Sequence, residues 1–255
     1  VANAAAAVNA GLADCVVVYR GLAQGEYGRF GQSTGVSRVS SEMSFQAPYG
    51  VVAPPQKFAF RVRRYMHEHG IEPPALRAIA LAAYHHAQFN PRAVMHGKPL
   101  DADRYDQARW IVEPFRLYDC CQENDGAAAV LVVASDLYRM AALGPEDVGS
   151  VQAYENFTGG VLMALAEHGF FRPEQANQFL TLGNLIAPDG QLPLNTSGGN
   201  LAEGYMHGFE LVIEAVRQVR GTSTCLARKH DVSLVISAPL VAPASNLLLG
   251  SPHTL

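Results

Sequence analysis

The sequence contains few of the residues that mark a secreted, nucleic-acid-binding or membrane-spanning protein. Four of its 255 residues are cysteine, and two of them, Cys120 and Cys121, are adjacent, which is neither a disulfide framework nor zinc-finger spacing. A net charge of −4 gives no basic surface for nucleic acid. No apolar run reaches the ~18 residues that span a bilayer, and the N-terminus lacks the basic start of a signal peptide. These absences predict a cytoplasmic protein without a membrane span.

The sequence does contain alternating apolar segments of strand and helix length, within a composition that is 49% hydrophobic. The run from Cys15 to Tyr19 predicts a strand buried on both faces, as in a parallel sheet. Proline and glycine bracket two predicted helices, and a long amphipathic helix is predicted to begin at Tyr205. Predicted strands cover residues 15–19, 127–135, 148–155, 232–238 and 246–250, and predicted helices cover 2–12, 55–69, 74–88, 102–108 and 159–169. The alternation predicts an α/β fold with a mainly parallel sheet.

Two places in the chain indicate interrupted α/β units. Val1 is followed directly by a helix and a buried strand, so we expect an N-terminal part to be missing. Near Asp136 and Leu137 a strand passes into a helix almost without a turn, and we expect a missing segment there too. Residues 21–55 are rich in Gly, Ser, Gln and Pro and predict a long irregular segment of functional use.

The segment "NTSGGNLAEGYMHG" (195–208) concentrates residues suited to a ligand site. Its first three residues favour a turn, and Gly198 and Gly199 allow another backbone or a ligand to come close. Gly204 and Gly208 leave room around Tyr205 and His207. Packing between helices through these glycines, with Tyr205 as a core aromatic, explains the pattern equally well. Leu201, Phe209, Val212, Ile213 and Val216 are expected to form the buried face of the helix.

A second candidate is "YENF" (154–157), where Tyr154 ends a predicted parallel strand. Crevices at the carboxyl ends of such strands bind ligands in open α/β sheets. An ordinary strand-end tyrosine is the simpler interpretation. Turn formation likewise explains the carboxylates of residues 119–125 better than a metal site does. His85 and His86 point in different directions on a helix, so no metal site is predicted.

Four segments together resemble the thiolase superfamily, in order and over nearly the whole chain. "NTSGGNLAEGYMHG" resembles the Asn-x-x-Gly-Gly signature followed by Gly-His-Pro, and "YENF" resembles Asn-Glu-Ala-Phe. "DCCQENDGAAAVLVVAS" is similar to the strand before the second half, and "SLVISAPLVAPAS" lies where thiolases carry Cys-x-Gly-Gly-Gly. The resemblance implies a five-layer αβαβα thiolase fold with two similar halves, the N-terminal half incomplete. Residues 1–136 would be that half, with an inserted loop domain at about 21–105, and 137–255 the C-terminal half.

The departures from the thiolase pattern are informative. Tyr205 replaces the histidine of Gly-His-Pro, Met206 replaces its proline, and Tyr154 replaces the asparagine of Asn-Glu-Ala-Phe. Near Val235 no second catalytic cysteine is present, and Cys225 lies about ten residues too early. The position of the nucleophilic cysteine precedes Val1. Ordinary Claisen chemistry is therefore not expected.

With these departures, and with the segments "LYDCCQENDGAAAV" and "SGGNLAEGYMHG", the chain resembles a group of thiolase-like lipid-transfer proteins from actinobacterial steroid degradation, which are retro-aldolases. Membership implies cleavage of a 17-hydroxy steroid-22-oyl-CoA to a 17-ketosteroid and propionyl-CoA, with no cofactor in this chain. It also implies a homodimer joined in a heterotetramer to an OB-fold, zinc-ribbon partner that carries the zinc. Tyr205 is assigned as base and Tyr154 as acid, although the motifs leave the reverse open. His207 would tune Tyr205 or contact the substrate.

Further residues are assigned to substrate binding or to support of the tyrosines: Asn195, Ser197, Gly198, Gly199, Glu155 and Asn156. Two other functions fit the same motifs. One is a thiolase or acetyl-CoA acyltransferase whose nucleophile precedes Val1. The other is a non-catalytic protein that binds acyl-CoA or sterol.

Overall fold

The computed structural model describes residues 1–13, 15–27, 43–133, 143–237, 246–251 and 253–254. Its longer helices follow the predicted ones, with proline in the first turn of α4 and α5 and left-handed Gly70 after α4. The helices are α1 Ala2–Asn9, α2 Gln24–Tyr27, α3 Met43–Gln46, α4 Pro54–His69, α5 Pro73–Ala87, α6 Ala102–Asp106, α7 Thr158–Glu167, α8 Ala176–Phe179, α9 Leu182–Leu185, α10 Gly199–Ala202 and α11 Phe209–Val219.

The described strands form three small sheets. They are β1 Cys15–Leu22, β2 Trp110–Val112, β3 Phe115–Arg116, β4 Gly126–Val133, β5 Ser150–Ala153, β6 Val232–Ile236 and β7 Asn246–Gly250. β1 pairs with β4 and β2 with β3, both antiparallel. In the third sheet β6 lies in the middle, parallel to β5 and antiparallel to β7. The α/β class is confirmed, and the order of β5 and β6 leaves the carboxyl end of β5 next to that of β6.

The largest apolar core lies where α4, α5 and α7 pack over the sheet of β5 and β6. Val62, Ile79 and Leu165 come from the three helices, and each is at most 1% exposed. Val151 of β5 and Ile236 of β6 meet them from the sheet. This packing holds β5 and the start of α7 in fixed positions, and Tyr154 lies between them.

The prediction of a mainly parallel sheet is wrong for the described strands, and so is the doubly buried β1. β1 runs antiparallel to β4, and its residues alternate between exposed and half-buried as far as Tyr19. Val17 and Tyr19 are 61% and 77% exposed. A short apolar run satisfies either arrangement, because its alternation is hidden when both faces carry β-branched or aromatic residues.

The long helix does not begin at Tyr205. α10 ends at Ala202, and α11 starts at Phe209, after His207 and Gly208 with φ of 55° and 79°. The predicted apolar face is also corrected. In the predicted face, Leu201 is buried in α10, but the four residues on α11 are only half-buried. The buried face of α11 is formed by the following residues: Glu210, Leu211, Glu214, Ala215 and Gln218. The buried polar groups are tolerated because they bond to neighbouring loops.

The boundary between the two predicted halves falls at residues 136–137, within 134–142, which lie outside the described residues. The inserted loop domain at about 21–105 likewise includes residues 28–42, outside the description. Its described part contains α4 and α5, which pack directly on α7 of the predicted C-terminal half. The division into halves stays a prediction.

Candidate active site

The hydroxyl groups of Tyr154 and Tyr205 meet at 2.7 Å, although the residues are 51 positions apart. Their rings are edge-to-face, with centroids 6.2 Å apart. Tyr154 follows the last residue of β5, and its amide donates to the carbonyl of Ile236 at 2.8 Å. Tyr205 lies in the turn between α10 and α11, where its amide donates to Asn124 Oδ1 at 2.7 Å. A hydrogen bond from the backbone amide therefore fixes the main chain of each tyrosine.

Burial makes both phenols weak acids but leaves them unequal. Burial raises the pKa of Tyr205 to about 12, against the hydrogen bond from Tyr154 and the charge of Arg20, which lower it. Burial, followed by the charge and hydrogen bond of Tyr205, raises the pKa of Tyr154 further. When one phenol of the pair is ionised, the charge therefore resides on Tyr205, and Tyr154 acts as the donor.

His207 stands beside the pair as a neutral ring. Its imidazole packs edge-to-face on the Tyr205 ring, with centroids 5.1 Å apart. Burial, followed by the charge of Arg20, lowers its pKa from the ordinary 6.5. A neutral imidazole can donate or accept a hydrogen bond from substrate without adding a charge next to the phenols.

Tyr205 lines a cavity of about 840 Å³, which is within the usual size of a small-molecule site, whereas Tyr154 lies behind it, hydrogen-bonded to the Tyr205 hydroxyl group. Its wall combines aromatic, apolar and polar side chains contributed by α4, α5 and the segment before β4. Among the lining residues are Tyr84, Tyr118, Cys121, Asn156, Tyr205 and His207. Of the residues predicted from the motifs, Tyr205, His207 and Asn156 face this space.

Asn195 supports the site from behind and does not line the cavity. Its side chain pairs with the backbone of Ala153 in both directions, at 2.7 and 3.0 Å. It adopts φ of 50°, a conformation that asparagine tolerates better than most residues. The pairing joins the 195–198 loop to the residue immediately before Tyr154. Asn195 therefore fixes the last residue of β5 against this loop.

His86, taken from the sequence as an uninformative helix residue, is a buried link in this support. Its Nε2 accepts the amide hydrogen of Ala187 at 2.9 Å, which leaves Nδ1–H to donate to the carbonyl of Asn195 at 3.2 Å. Burial lowers the pKa of this fully buried imidazole to about 3. The ring is therefore neutral, and its tautomer is set by its two partners.

The stability of the fold should depend on His86 in acid. Between its folded pKa of about 3 and its ordinary 6.5, only the unfolded chain binds the proton, so stability falls as pH falls through that window. His86→Gln does not titrate. The stability advantage of the wild type over this variant should shrink by about 3 kcal/mol between about pH 7 and about pH 4. Chemical denaturation at several pH values measures it, and a constant difference would contradict it.

Glu155 and the paired glycines form a buried layer under Tyr154. Glu155 is 0% exposed, Asn200 Nδ2 donates to its Oε2 at 3.3 Å, and burial raises its pKa well above the ordinary range. Gly199 has φ of 54°, and a Cβ there would lie 1.8 Å from Glu155 Oε1. Ser197 and Gly198 are buried in the same loop. Glycine is thus needed at 199 to admit the carboxyl group.

The thiols near the cavity are not activated. Burial raises the pKa of Cys121 to about 12 and raises that of Cys120 further, although both line the cavity. Burial also raises the pKa of Cys225 to about 12, and its Sγ lies 3.7 Å from the carbonyl oxygen of His86. The nucleophilic thiolate needs a lowered pKa. At neutral pH these three side chains are therefore protonated.

In the acidic segment before β4, Asp119 forms a turn, as predicted, because it accepts the amide hydrogen of Arg116. This carboxylate, 0% exposed, accepts hydrogen bonds from Tyr105, Thr158 and the amide of Arg116, each at 2.7 Å. Asp125 accepts the amide of Gly25 at 2.8 Å. Among the described residues no group of three His, Cys, Asp or Glu side chains is arranged to hold a metal ion.

Sequence reasoning missed three residues at the site: Asn124, Glu210 and Arg20. Glu210 carried a usable signal, because Glu210, Glu214 and Gln218 recur every four residues on one helix face. Such a polar row on a helix that must pack indicates a hydrogen-bonded interior. Asn124 and Arg20 carried none, since their proximity to Tyr205 depends on how β1 and β4 pack.

The chain is similar to proteins of the thiolase superfamily. Residues 118–245 match the family described as thiolase C-terminal domain-like. The chain is 34% identical to the 17-hydroxy-3-oxo-4-pregnene-20-carboxyl-CoA lyase of Mycobacterium tuberculosis, covering 98% of this chain and 78% of that protein. It is 33% identical to the steroid side-chain-cleaving aldolase of Thermomonospora curvata, covering 98% and 77%.

A solved structure agrees with these relatives. The Ltp2-ChsH2(DUF35) aldolase superposes with a TM-score of 0.84 at 32% identity, covering 98% of this chain and 76% of that chain. The thiolase fold predicted from the motifs is confirmed by this similarity and by the family match. In the described part of the chain, no helix combines the length and apolar character needed to cross a membrane.

Proposed function

This chain belongs to the thiolase superfamily, in the group of steroid side-chain-cleaving aldolases, and we propose that it cleaves a 17-hydroxy steroid-22-oyl-CoA to a 17-ketosteroid and propionyl-CoA. One observation carries the proposal. Two phenols with unequal pKa values share a 2.7 Å hydrogen bond, and one of them, Tyr205, lines a cavity of about 840 Å³. A retro-aldol reaction needs one base, one acid and no covalent intermediate.

The base in this proposal is the phenolate of Tyr205. It takes the proton of the β-hydroxyl group, and the bond between Cα and Cβ then breaks. The oxygen on Cβ becomes the ketone, and the electron pair of the broken bond becomes the enolate of the CoA thioester. A phenolate is a stronger base than a carboxylate and so suits a weakly acidic tertiary alcohol.

The acid is Tyr154, which donates its proton to the enolate carbon and releases propionyl-CoA. Tyr205 then passes the proton that it took from the substrate to Tyr154 across the 2.7 Å hydrogen bond. The pair returns to its starting state with one phenolate and one phenol. No proton has to be exchanged with solvent during the cycle.

The remaining predicted residues have supporting tasks in the proposal. His207 and Asn156, on the cavity wall, are placed to bind the thioester or the β-hydroxyl group. Glu155, Asn195, Ser197, Gly198 and Gly199 position the two tyrosines from below. No cofactor is required in this chain, because the CoA thioester itself stabilises the carbanion.

The proposal includes a partner protein. The similar solved structure is named as an aldolase with a second component, ChsH2(DUF35). We infer a homodimer of this chain joined to two copies of a small OB-fold protein with a zinc ribbon, so that any zinc lies in the partner.

Product analysis tests this function. The full-length protein, co-expressed with its OB-fold partner, is given 17-hydroxy steroid-22-oyl-CoA, and chromatography follows both products. We expect a 17-ketosteroid and propionyl-CoA in equal amounts, without added CoA. Thiolysis of a 3-ketoacyl-CoA that consumes free CoA would identify an acyltransferase instead. Tight binding of the substrate without turnover would identify a carrier.

A further inference from the structure

The turn between α10 and α11 carries the proposed base and the ring beside it, and its backbone is unusual. His207 and Gly208 both have positive φ, 55° and 79°. A non-glycine residue in this region is uncommon and persists only where the surroundings hold it. The contacts that hold this turn therefore decide where the Tyr205 hydroxyl lies.

Glu210 is one of those contacts. It stands in the first turn of α11, is 3% exposed, and its Oε2 accepts the amide hydrogen of Met206 at 3.1 Å. The backbone amides of Gly208 and of Glu210 itself also favour its ionised form. The carboxyl group thus bridges the turn from its far end, while Asn124 holds the amide of Tyr205 at the near end.

The same turn also touches the second phenol. A Cβ on Gly208 would lie 2.5 Å from Cδ2 of Tyr154, so the Tyr154 ring rests directly on the Gly208 backbone. Movement of the turn would shift Tyr205 and release Tyr154 together. The 2.7 Å separation of the two hydroxyl groups therefore depends on the geometry of residues 205–210.

We propose that Glu210 is a positioning residue for side-chain cleavage, holding the 205–208 turn so that the Tyr205 and Tyr154 hydroxyl groups stay in contact. It acts through the backbone and is not a catalytic residue. Its negative charge, when present, also opposes ionisation of the phenols.

The charge effect follows from the surroundings of Glu210. Burial, and then the charge of Glu203, raises its pKa to about 8, so it is mostly neutral at pH 7. Its ionisation raises the pKa of both Tyr205 and Tyr154. The titratable or charged groups around the carboxyl and the phenols are Glu155, Glu203, Cys121, Tyr154, Tyr205, His207, Arg20 and Arg217.

Kinetics of Glu210→Ala and Glu210→Gln in the complex with the partner test the proposal, which rests on the proposed aldolase function. Glu210→Ala should lose about 10²-fold in kcat with little change in KM. Glu210→Gln keeps an acceptor for Met206 and should stay near the wild type at about pH 7. Because glutamine never ionises, the ratio of its kcat to that of the wild type should rise as pH increases through about 8.

Glu214→Gln is the matched control, because Glu214 is 1% exposed on the same helix face one turn later. Glu214→Gln should lower the stability of the fold, and the ratio of its kcat to that of the wild type should not change with pH. A flat ratio for Glu210→Gln, or wild-type kcat in a folded Glu210→Ala, would overturn the proposal. If Glu210→Ala does not fold, the pH dependence of Glu210→Gln decides alone.

A second measurement does not need turnover. Ionisation of Tyr205 is followed by tyrosinate absorbance after a rapid pH jump, as the difference between each protein and its Tyr205→Phe counterpart. Tyr205 should ionise at lower pH in Glu210→Gln than in the wild type. Equal titration would contradict the proposed coupling, whereas absence of cleavage by the wild type would contradict only the proposed function.

Discussion

Replacing Tyr205 by phenylalanine is expected to lower kcat for side-chain cleavage by about 10²-fold or more, the usual size of an acid–base contribution. Phenylalanine keeps the ring packed on His207 but removes the oxygen that lies 2.7 Å from Tyr154. Tyr154→Phe should have an effect of similar size, because the enolate loses its proton donor. The double variant should be no worse than the poorer single one, since the two groups work as a unit.

Chromatography of the products, with initial rates for each variant, measures this expectation. Stability should change by only about 1 kcal/mol, the cost of one lost hydrogen bond. Tyr65→Phe is the control, because Tyr65 lies on α4 against His69 and outside the cavity. Single tyrosine variants as active as Tyr65→Phe would show that the pair is structural and would return Tyr205 to the role of a packing residue.

Gly199→Ala is expected to destabilise the protein by about 3 kcal/mol and to lower kcat by about tenfold or more. The alanine backbone would have to keep φ of 54°. Its Cβ would lie 1.8 Å from Glu155 Oε1 and 3.0 Å from Asn195 Nδ2. Glu155 is fully buried, so its carboxyl group cannot move into solvent without displacing the residue before or after it. Tyr154 is the residue before it, which connects this strain to the proposed catalytic pair.

Gly183→Ala makes the same chemical change at a site with no such contact. Gly183 lies in α9, and nothing comes within 4 Å of a Cβ built there. Alanine should leave kcat unchanged and keep stability within about 1 kcal/mol of the wild type, because it favours helix. Denaturant unfolding and kcat are compared for the two variants. Equal stability of Gly199→Ala and Gly183→Ala would mean that the 198–199 loop gives way more easily than its contacts indicate.

Much of the local structure was predictable, because local residues encode it. Pro54 begins α4 and Gly70 follows its last residue, as the sequence predicted. The motif at 195–208 was recognised by its glycines. The separation of α10 from α11 was not predicted. Gly204 and Gly208 were interpreted as small residues that leave room around Tyr205 and His207, whereas Gly208 is a left-handed residue that precedes the first residue of α11.

The two tyrosines of the candidate site were predicted from the motifs, whereas part of the structure that holds them was missed. Tyr154 and Tyr205 stood out because they replace residues of a known motif. Glu210 and His86 resembled, respectively, a solvated helix carboxylate and one of an adjacent histidine pair. Both side chains are buried, and burial shifts their pKa values. The hydrogen-bond partners of His86 lie more than 80 positions away in the chain.

The sequence by itself determined the α/β class, most of the strands and longer helices, and the identity of the two tyrosines as the residues that depart from thiolase chemistry. These depend on side-chain periodicity, turn residues and motif order, which act over a few residues. Only the tertiary structure decided that β1 pairs antiparallel with β4, that the polar row of α11 faces inward, and that two hydroxyl groups 51 residues apart meet at 2.7 Å. The reason is physical: pairings between distant segments are selected by the packing and hydrogen bonding of the whole chain, and no short window of sequence contains both partners.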